Sequence, residues 1–186
     1  MVDYRQLFKN SLKKYKNHTK WDDGDFRGIK TVSNTSVGNV GQDFIAYLCN
    51  AYEIENTPNK IKDSWDIEIL GVKFEVKTAS EDTSGRFQFD HVRYHREYDA
   101  VLCLGVSPNE LFFNVWTKQN ILIGREGKLA SMEKDANASF KLSKSKKELW
   151  QIEHFSKVIL EFIRKVNEDN QRSEEYSKKI KTLIEK

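Results

Sequence analysis

Asp66, Glu75 and Lys77 are the residues whose types and spacing point most directly to chemistry. They lie within residues 64–77, where two runs of alternating apolar and charged residues flank Leu70-Gly71. Alternation with period two marks a half-buried strand, and a glycine between two such runs marks a hairpin. With Leu70-Gly71 as a two-residue loop, Ile69 pairs with Val72, Glu68 with Lys73, Ile67 with Phe74 and Asp66 with Glu75. Trp65, Ile67, Ile69, Val72, Phe74 and Val76 then share an apolar face, and the charges occupy the other. Directly opposed strand residues have Cβ atoms ~4.5–5.5 Å apart, where like charges are destabilising unless neutralised. A hard divalent cation between Asp66 and Glu75 would neutralise them.

The same register gives Lys73 an ordinary cross-strand partner in Glu68 and leaves Lys77, one pleat beyond Glu75, without an evident one. Mg²⁺ takes oxygen ligands, typically one or two carboxylates completed by substrate phosphate and water. Such an ion polarises a phosphoryl oxygen and acidifies a water, and a nearby ammonium stabilises the developing negative charge. Those parts suit phosphodiester hydrolysis. In a chain that is 32% charged, Asp, eight residues, Glu, one residue, Lys also arises on ordinary solvated sheet faces. The alternating hairpin around the three residues is what favours a site.

The elements that must hold this hairpin can be read along the chain. Its 186 residues, 38% apolar with two prolines, suit one folded domain spanning residues 1–186, with a catalytic core at about 36–116 and a helical segment at about 149–186. Net charge is only +3, so affinity for nucleic acid has to come from local clusters. Cys49 and Cys103 sit in apolar stretches and read as buried thiols of a reducing compartment. The first residues carry no apolar signal core, and the apolar stretch around residues 100–106 is far too short to cross a bilayer, so a cytoplasmic protein without a membrane segment is expected.

Tyr4, Leu7, Phe8, Leu12 and Tyr15 recur at helical spacing, and residues 21–25 form an acidic loop that lacks the ligand spacing of a calcium site. A helix opening at Ser36 carries Gly38 and Gly41, which permit close backbone approach, and then Phe44, Ile45, Tyr47, Leu48 and Tyr52. After Lys77 comes a turn-rich stretch, then residues 87–96, which mix aromatics, amides and cations as nucleic-acid contacts do. Arginine reads guanine and glutamine reads adenine, which nominates Arg86, Gln88, Arg93 and Arg96 as DNA-binding; the competing reading is a surface helix packed by Phe87 and Phe89. His91 and His95 have zinc-like spacing but no further ligand cluster. Residues 99–105 and 111–116 read as buried strands, and Lys141, Lys144, Lys146 and Lys147 as a solvated or phosphate-touching run. From Leu149 onward a stripe of Ile152, Phe155, Val158, Ile159, Phe162, Ile163 and Val166 requires an apolar partner, its own sheet before a second copy of the chain.

Asp66 and Glu75-Val76-Lys77, following a helix with Val37-Gly38-Asn39-Val40-Gly41, resemble the PD-(D/E)XK nuclease superfamily, and type II restriction endonucleases in particular. The resemblance covers about residues 36–116. It implies an α/β, restriction-endonuclease-like core with a central mixed β-sheet flanked by helices. It further implies Mg²⁺ bound by Asp66, Glu75 and the Val76 backbone carbonyl, with Lys77 assisting the attacking water. The activity implied is cleavage of double-stranded DNA at a specific sequence by a homodimer, leaving 5′-phosphates. A repair, recombination or modification-dependent nuclease of the same superfamily, or a non-catalytic DNA-binding protein, are the alternatives. Trp65 stands where the superfamily's name has proline, and Gln42 where many relatives carry glutamate after the second glycine of the helix. The neighbouring Asp43 points about 100° further around the helix, so the helix contributes through Gln42, Asp43 or neither.

Overall fold

In the computed structural model, residues 4–6, 8–9, 19–59, 64–93, 95–127, 129–131 and 139–184 are described, without the side chains of 131, 139 and 172–184. Residues 4–6 and 8–9 are helical, with Tyr4 and Phe8 exposed; Leu7, Leu12 and Tyr15 of the expected first helix lie outside the described residues. Helix α1 (Asn34–Ala51) starts two residues before Ser36, because the Ser33 hydroxyl caps it by accepting from the Ser36 N–H.

Strands β1 (Asn56–Pro58), β2 (Ile67–Ile69) and β3 (Val72–Ser80) form an antiparallel edge with Ile69 opposite Val72, Glu68 opposite Lys73 and Ile67 opposite Phe74. Leu70 and Gly71 have φ of +48° and +79°, the pair of positive values a tight type I′ hairpin turn requires. Strand β4 (Arg86–Arg93) leaves this sheet, and β5 (Ala100–Val106) returns to pair with β3 in parallel. The aromatic segment expected as a possible surface helix is therefore a strand. Its alternation explains this: Phe87 and Phe89 are fully buried while Arg86 and Gln88 are exposed, a period of two rather than 3.6.

Strand β6 (Leu111–Thr117) follows the turn at Ser107, whose N–H bonds the Glu110 carbonyl, and leads into the short helix α2 (Lys118–Leu122). Then come β7 (Ala130–Ser131), β8 (Ser139–Ser145), β9 (Trp150–Gln151) and the long helix α3 (Phe155–Ile184). The central sheet runs β1-β2-β3-β5-β6-β9, all antiparallel except β3 against β5; a second sheet runs β4-β8-β7. The chain is thus mixed α/β, with a central mixed sheet and helices packed on it.

Ile45 and Cys49 of α1 and Phe155, Ile159 and Ile163 of α3 pack on one face of the central sheet against Ile67, Phe74, Val76, Leu102 and Phe113. The apolar stripe of the C-terminal helix is spent on the protein's own core. Phe87, Phe89, Val92 and Leu142 of the second sheet cover the other face, meeting Ala79, Val101, Cys103 and Trp116. With both faces covered, all seven residues of β5 are buried. Burial pushes the Cys49 thiol up to about 11, as befits an inert thiol in apolar surroundings. No described helix is long and apolar enough to cross a membrane.

Candidate active site

Beyond Phe74, no strand among the described residues lies beside this edge of β3, because the β2 ladder stops at Ile67. Asp66 takes the vacated edge: its N–H donates to the Phe74 carbonyl and its Oδ2 accepts from the Val76 N–H, each at 2.8 Å. The carboxylate lies along the sheet edge and does not form the expected facing pair with Glu75. The chain bends at Ser64, where the Asn59 amide donates to the Ser64 hydroxyl at 2.8 Å and to the Trp65 carbonyl at 3.0 Å, and strand alternation ends there. Trp65 consequently joins the opposite face from Ile67 and Ile69. The Lys73 ammonium sits 4.0 Å from the Trp65 ring centroid, so its role is stacking on the indole rather than the expected ion pair with Glu68. N–H and C=O of one strand residue point the same way, so the Val76 carbonyl opens onto the edge that holds Asp66.

Glu75 is fully buried, with Lys77 Nζ 2.5 Å from Oε1 and Arg96 Nη1 3.2 Å from Oε2. Lys77, expected to lack a partner, is thus paired with the neighbouring carboxylate two residues away. Arg96 reaches the site through topology. Because β5 runs parallel to β3 with Phe74 beside Ala100, the segment entering β5 must return to the start of β3. There the Asp99 carboxylate accepts from the Lys73 N–H at 2.9 Å, and Lys118 donates to the Arg96 carbonyl at 2.5 Å, fixing the segment in place. Arg96 was nominated from sequence for DNA; its guanidinium is held on the buried glutamate.

Asp66, Val76, Lys77 and Arg96 open on a cavity of about 890 Å³ between the N-terminal part of α1 and strand β4. Gly38 and Gln42 line it from the helix, and Gln88, Asp90, His91 and Arg93 from the strand. The helix comes this close because Gly41 faces Thr78; a Cβ there would stand 1.7 Å from the Thr78 hydroxyl. Asp43 is exposed and outside this lining, as is Arg86, whose guanidinium donates to the Ser143 carbonyl at 3.4 Å. Lys144, read as part of an exposed lysine run, is buried against Trp116 and bound to the Glu126 carbonyl and Glu148. Asn59 and Lys118, which shape the site, carry no spacing signal, since both act by bonding a backbone carbonyl, which any residue type supplies.

Burial and, after it, the charge of Glu75 raise the Asp66 carboxyl to about 6, with the Val76 N–H, Lys77 and Arg96 only partly offsetting them. An environment that disfavours the Asp66 anion is one that a cation would reverse. Asp66 and Val76 present hard oxygen donors to the cavity, of the kind Mg²⁺ takes, while Glu75 is buried behind them with both oxygens on Lys77 and Arg96. Among the described residues, no three His, Cys, Asp or Glu side chains converge into a metal cage, so substrate and water would complete the shell. The donor set fits Mg²⁺ on condition that Lys77 and Arg96 release Glu75.

No family model matches the chain, and neither does any curated protein. Among solved structures it is similar to a bacterial homing endonuclease, I-Ssp6803I, with a TM-score of 0.47 and 12% identity over 76% of this chain and 98% of that one. A likeness that distant assigns no residue and no activity.

Proposed function

We propose that the protein is a Mg²⁺-dependent endonuclease acting on double-stranded DNA, with Asp66, Glu75 and Lys77 as catalytic residues. The observation that carries the reading is the meeting of Asp66, the Val76 carbonyl and Lys77 on an unpaired strand edge at a cavity lined by amides and arginines. Asp66, Glu75 and the Val76 carbonyl would hold the ion, which when bound polarises the phosphoryl oxygen and lowers the pKa of a water beside it. Lys77, released from Glu75, holds its proton beside the attacking oxygen and lowers the cost of negative charge there. Arg96, released from the same carboxylate, faces the phosphate oxygens. Gln42 borders the cavity and orients water or phosphate through its amide. Asp43, being outside the lining, has no part in this scheme.

The finer reading is a type II restriction enzyme leaving 5′-phosphates. Cutting both strands of a symmetric site requires two such cavities related by a two-fold axis, hence a homodimer. The test is incubation of purified protein with long plasmid or phage DNA, with Mg²⁺ or with EDTA, beside Asp66→Ala. Discrete Mg²⁺-dependent fragments absent from the variant are expected. No cutting of unmodified, methylated or branched DNA would overturn the nuclease reading, and a smear in place of discrete bands would overturn the restriction reading alone.

A further inference from the structure

Strand β4 contains one residue more than its partner can match. Phe89 pairs with Leu142 and Val92 with Phe140, so Asp90 and His91 together face the single residue Lys141. This is a β-bulge, and His91 within it has φ of +57°, a left-handed conformation that a residue with a Cβ adopts only at a cost. Phe89 and Val92, on either side, are both fully buried. The bulge lets these two, three residues apart, both turn inward, which period-two alternation alone would not allow. The extra residue also reshapes the outer side. Asp90 and His91 both line the cavity of Asp66 and Lys77, between Gln88 and Arg93, which line it too. Gln88 Nε2 donates to the Asp90 carboxylate at 3.1 Å, which orients the amide. The strained residue therefore sits at the centre of a row of side chains with base-edge partners: glutamine for adenine, a carboxylate for the cytosine amine and arginine for guanine, while an imidazole offers both a donor and an acceptor.

Resting on the nuclease reading above, we infer that the Asp90–His91 bulge is the sequence-reading element of the protein and that His91 is a specificity-determining residue contacting a base edge next to the scissile phosphate. Because the bulge and the catalytic edge line one cavity, the base pair read lies beside the bond cut. His91 combines a left-handed backbone with a place among the side chains lining the catalytic cavity, where such strain is commonly kept for function.

The test uses the full chain and two variants that both tolerate the left-handed backbone, His91→Gly and His91→Asn. A pool of duplexes with randomised sequence is bound in EDTA, and separately cut in Mg²⁺, and the retained and cleaved sequences are read. His91→Gly is expected to match or exceed the wild type in urea stability, to lose preference at one or two base pairs, and to raise KM about tenfold or more, with kcat falling less than KM rises. His91→Asn is expected to change the preferred base at the same position rather than erase preference. Unaltered preference and KM in both variants would overturn the inference, as would binding without any sequence preference by the wild type. A wild type that binds with preference but never cuts, with the preference lost in His91→Gly, overturns the nuclease reading and leaves this one standing.

Discussion

Strand β3 and the residue that follows it carry two buried glutamates, Glu75 and Glu81, and each has two cations on its carboxylate. Their composition is nearly the same and their electrostatics are opposite. Glu81 is joined by Lys20 at 2.9 Å and Lys146 at 3.3 Å, from segments far away in sequence. Burial raises its carboxyl, but Ser107, Lys20 and Lys146 outweigh that and hold it below the ordinary value. Glu75 draws its cations from its own strand and the crossover segment, yet beside it Asp66 is driven up to about 6. Two cations satisfy one carboxylate and leave a second one short. The Glu81 cluster ties together the residue 20 region, the end of β3 and the end of β8, whereas the Glu75 cluster shares its two cations with a second carboxylate, Asp66, that lines the cavity.

The comparison can be broken most forcefully at the catalytic end. Lys77→Ala and Asp66→Ala are each expected to lower cleavage by at least about a hundredfold with the fold retained, as read from initial rates alongside circular dichroism. Equal loss in Glu81→Gln, corrected for folded fraction, would erase the distinction between the two clusters.

At the other end, Glu81→Gln is expected to cost about 1–3 kcal/mol in urea unfolding near neutral pH, because Lys20 and Lys146 lose their shared carboxylate. The sign follows from its lowered carboxyl. The stabilisation is present above the unfolded value and disappears as pH falls through the folded one, so the variant should flatten the acid limb of the stability curve.

Asp66→Asn should move stability in the opposite direction. A carboxyl raised from 3.8 to about 6 is favoured when protonated, and its cost to the fold grows as pH rises between those values. The variant is expected to gain roughly 1–3 kcal/mol at pH 7 and nothing at pH 3.5. No gain at pH 7 would mean that Lys77 and Arg96 already balance both carboxylates. The smallest effect belongs to Lys73→Ala: the lost stacking on Trp65 should cost about 0.5–1 kcal/mol, with cleavage rate unchanged.

The hairpin was legible because its turn and its alternation are local. Leu70-Gly71 sets the register, and the pairing of Ile69, Glu68 and Ile67 follows as expected. Legibility ended where the ladder ended. Nothing local to Asp66 says that Asn59 bends the chain and lays the carboxylate along the edge. The second sheet was missed for a related reason: β4 pairs with β8, more than fifty residues on in every register pair but two, and β8 lies in a stretch with no clear periodicity. Arg96 was visible as a cation and assigned to DNA, since only the parallel pairing of β3 with β5 brings it to Glu75. The apolar stripe of α3 was legible as buried, and packing against the sheet of its own chain decided which surface covers it.

The passage from β3 to its parallel neighbour β5 runs through β4. The covalent link that delivers Arg96 to the catalytic edge is therefore the same link that carries the bulge. Sequence preference in this protein is not a detachable module. An insertion or deletion meant to retarget β4 would also pull on the segment anchored by Asp99 and Lys118, so preference should drift by side-chain replacement at fixed length, and grafting a foreign reading strand should cost turnover before it yields a new target.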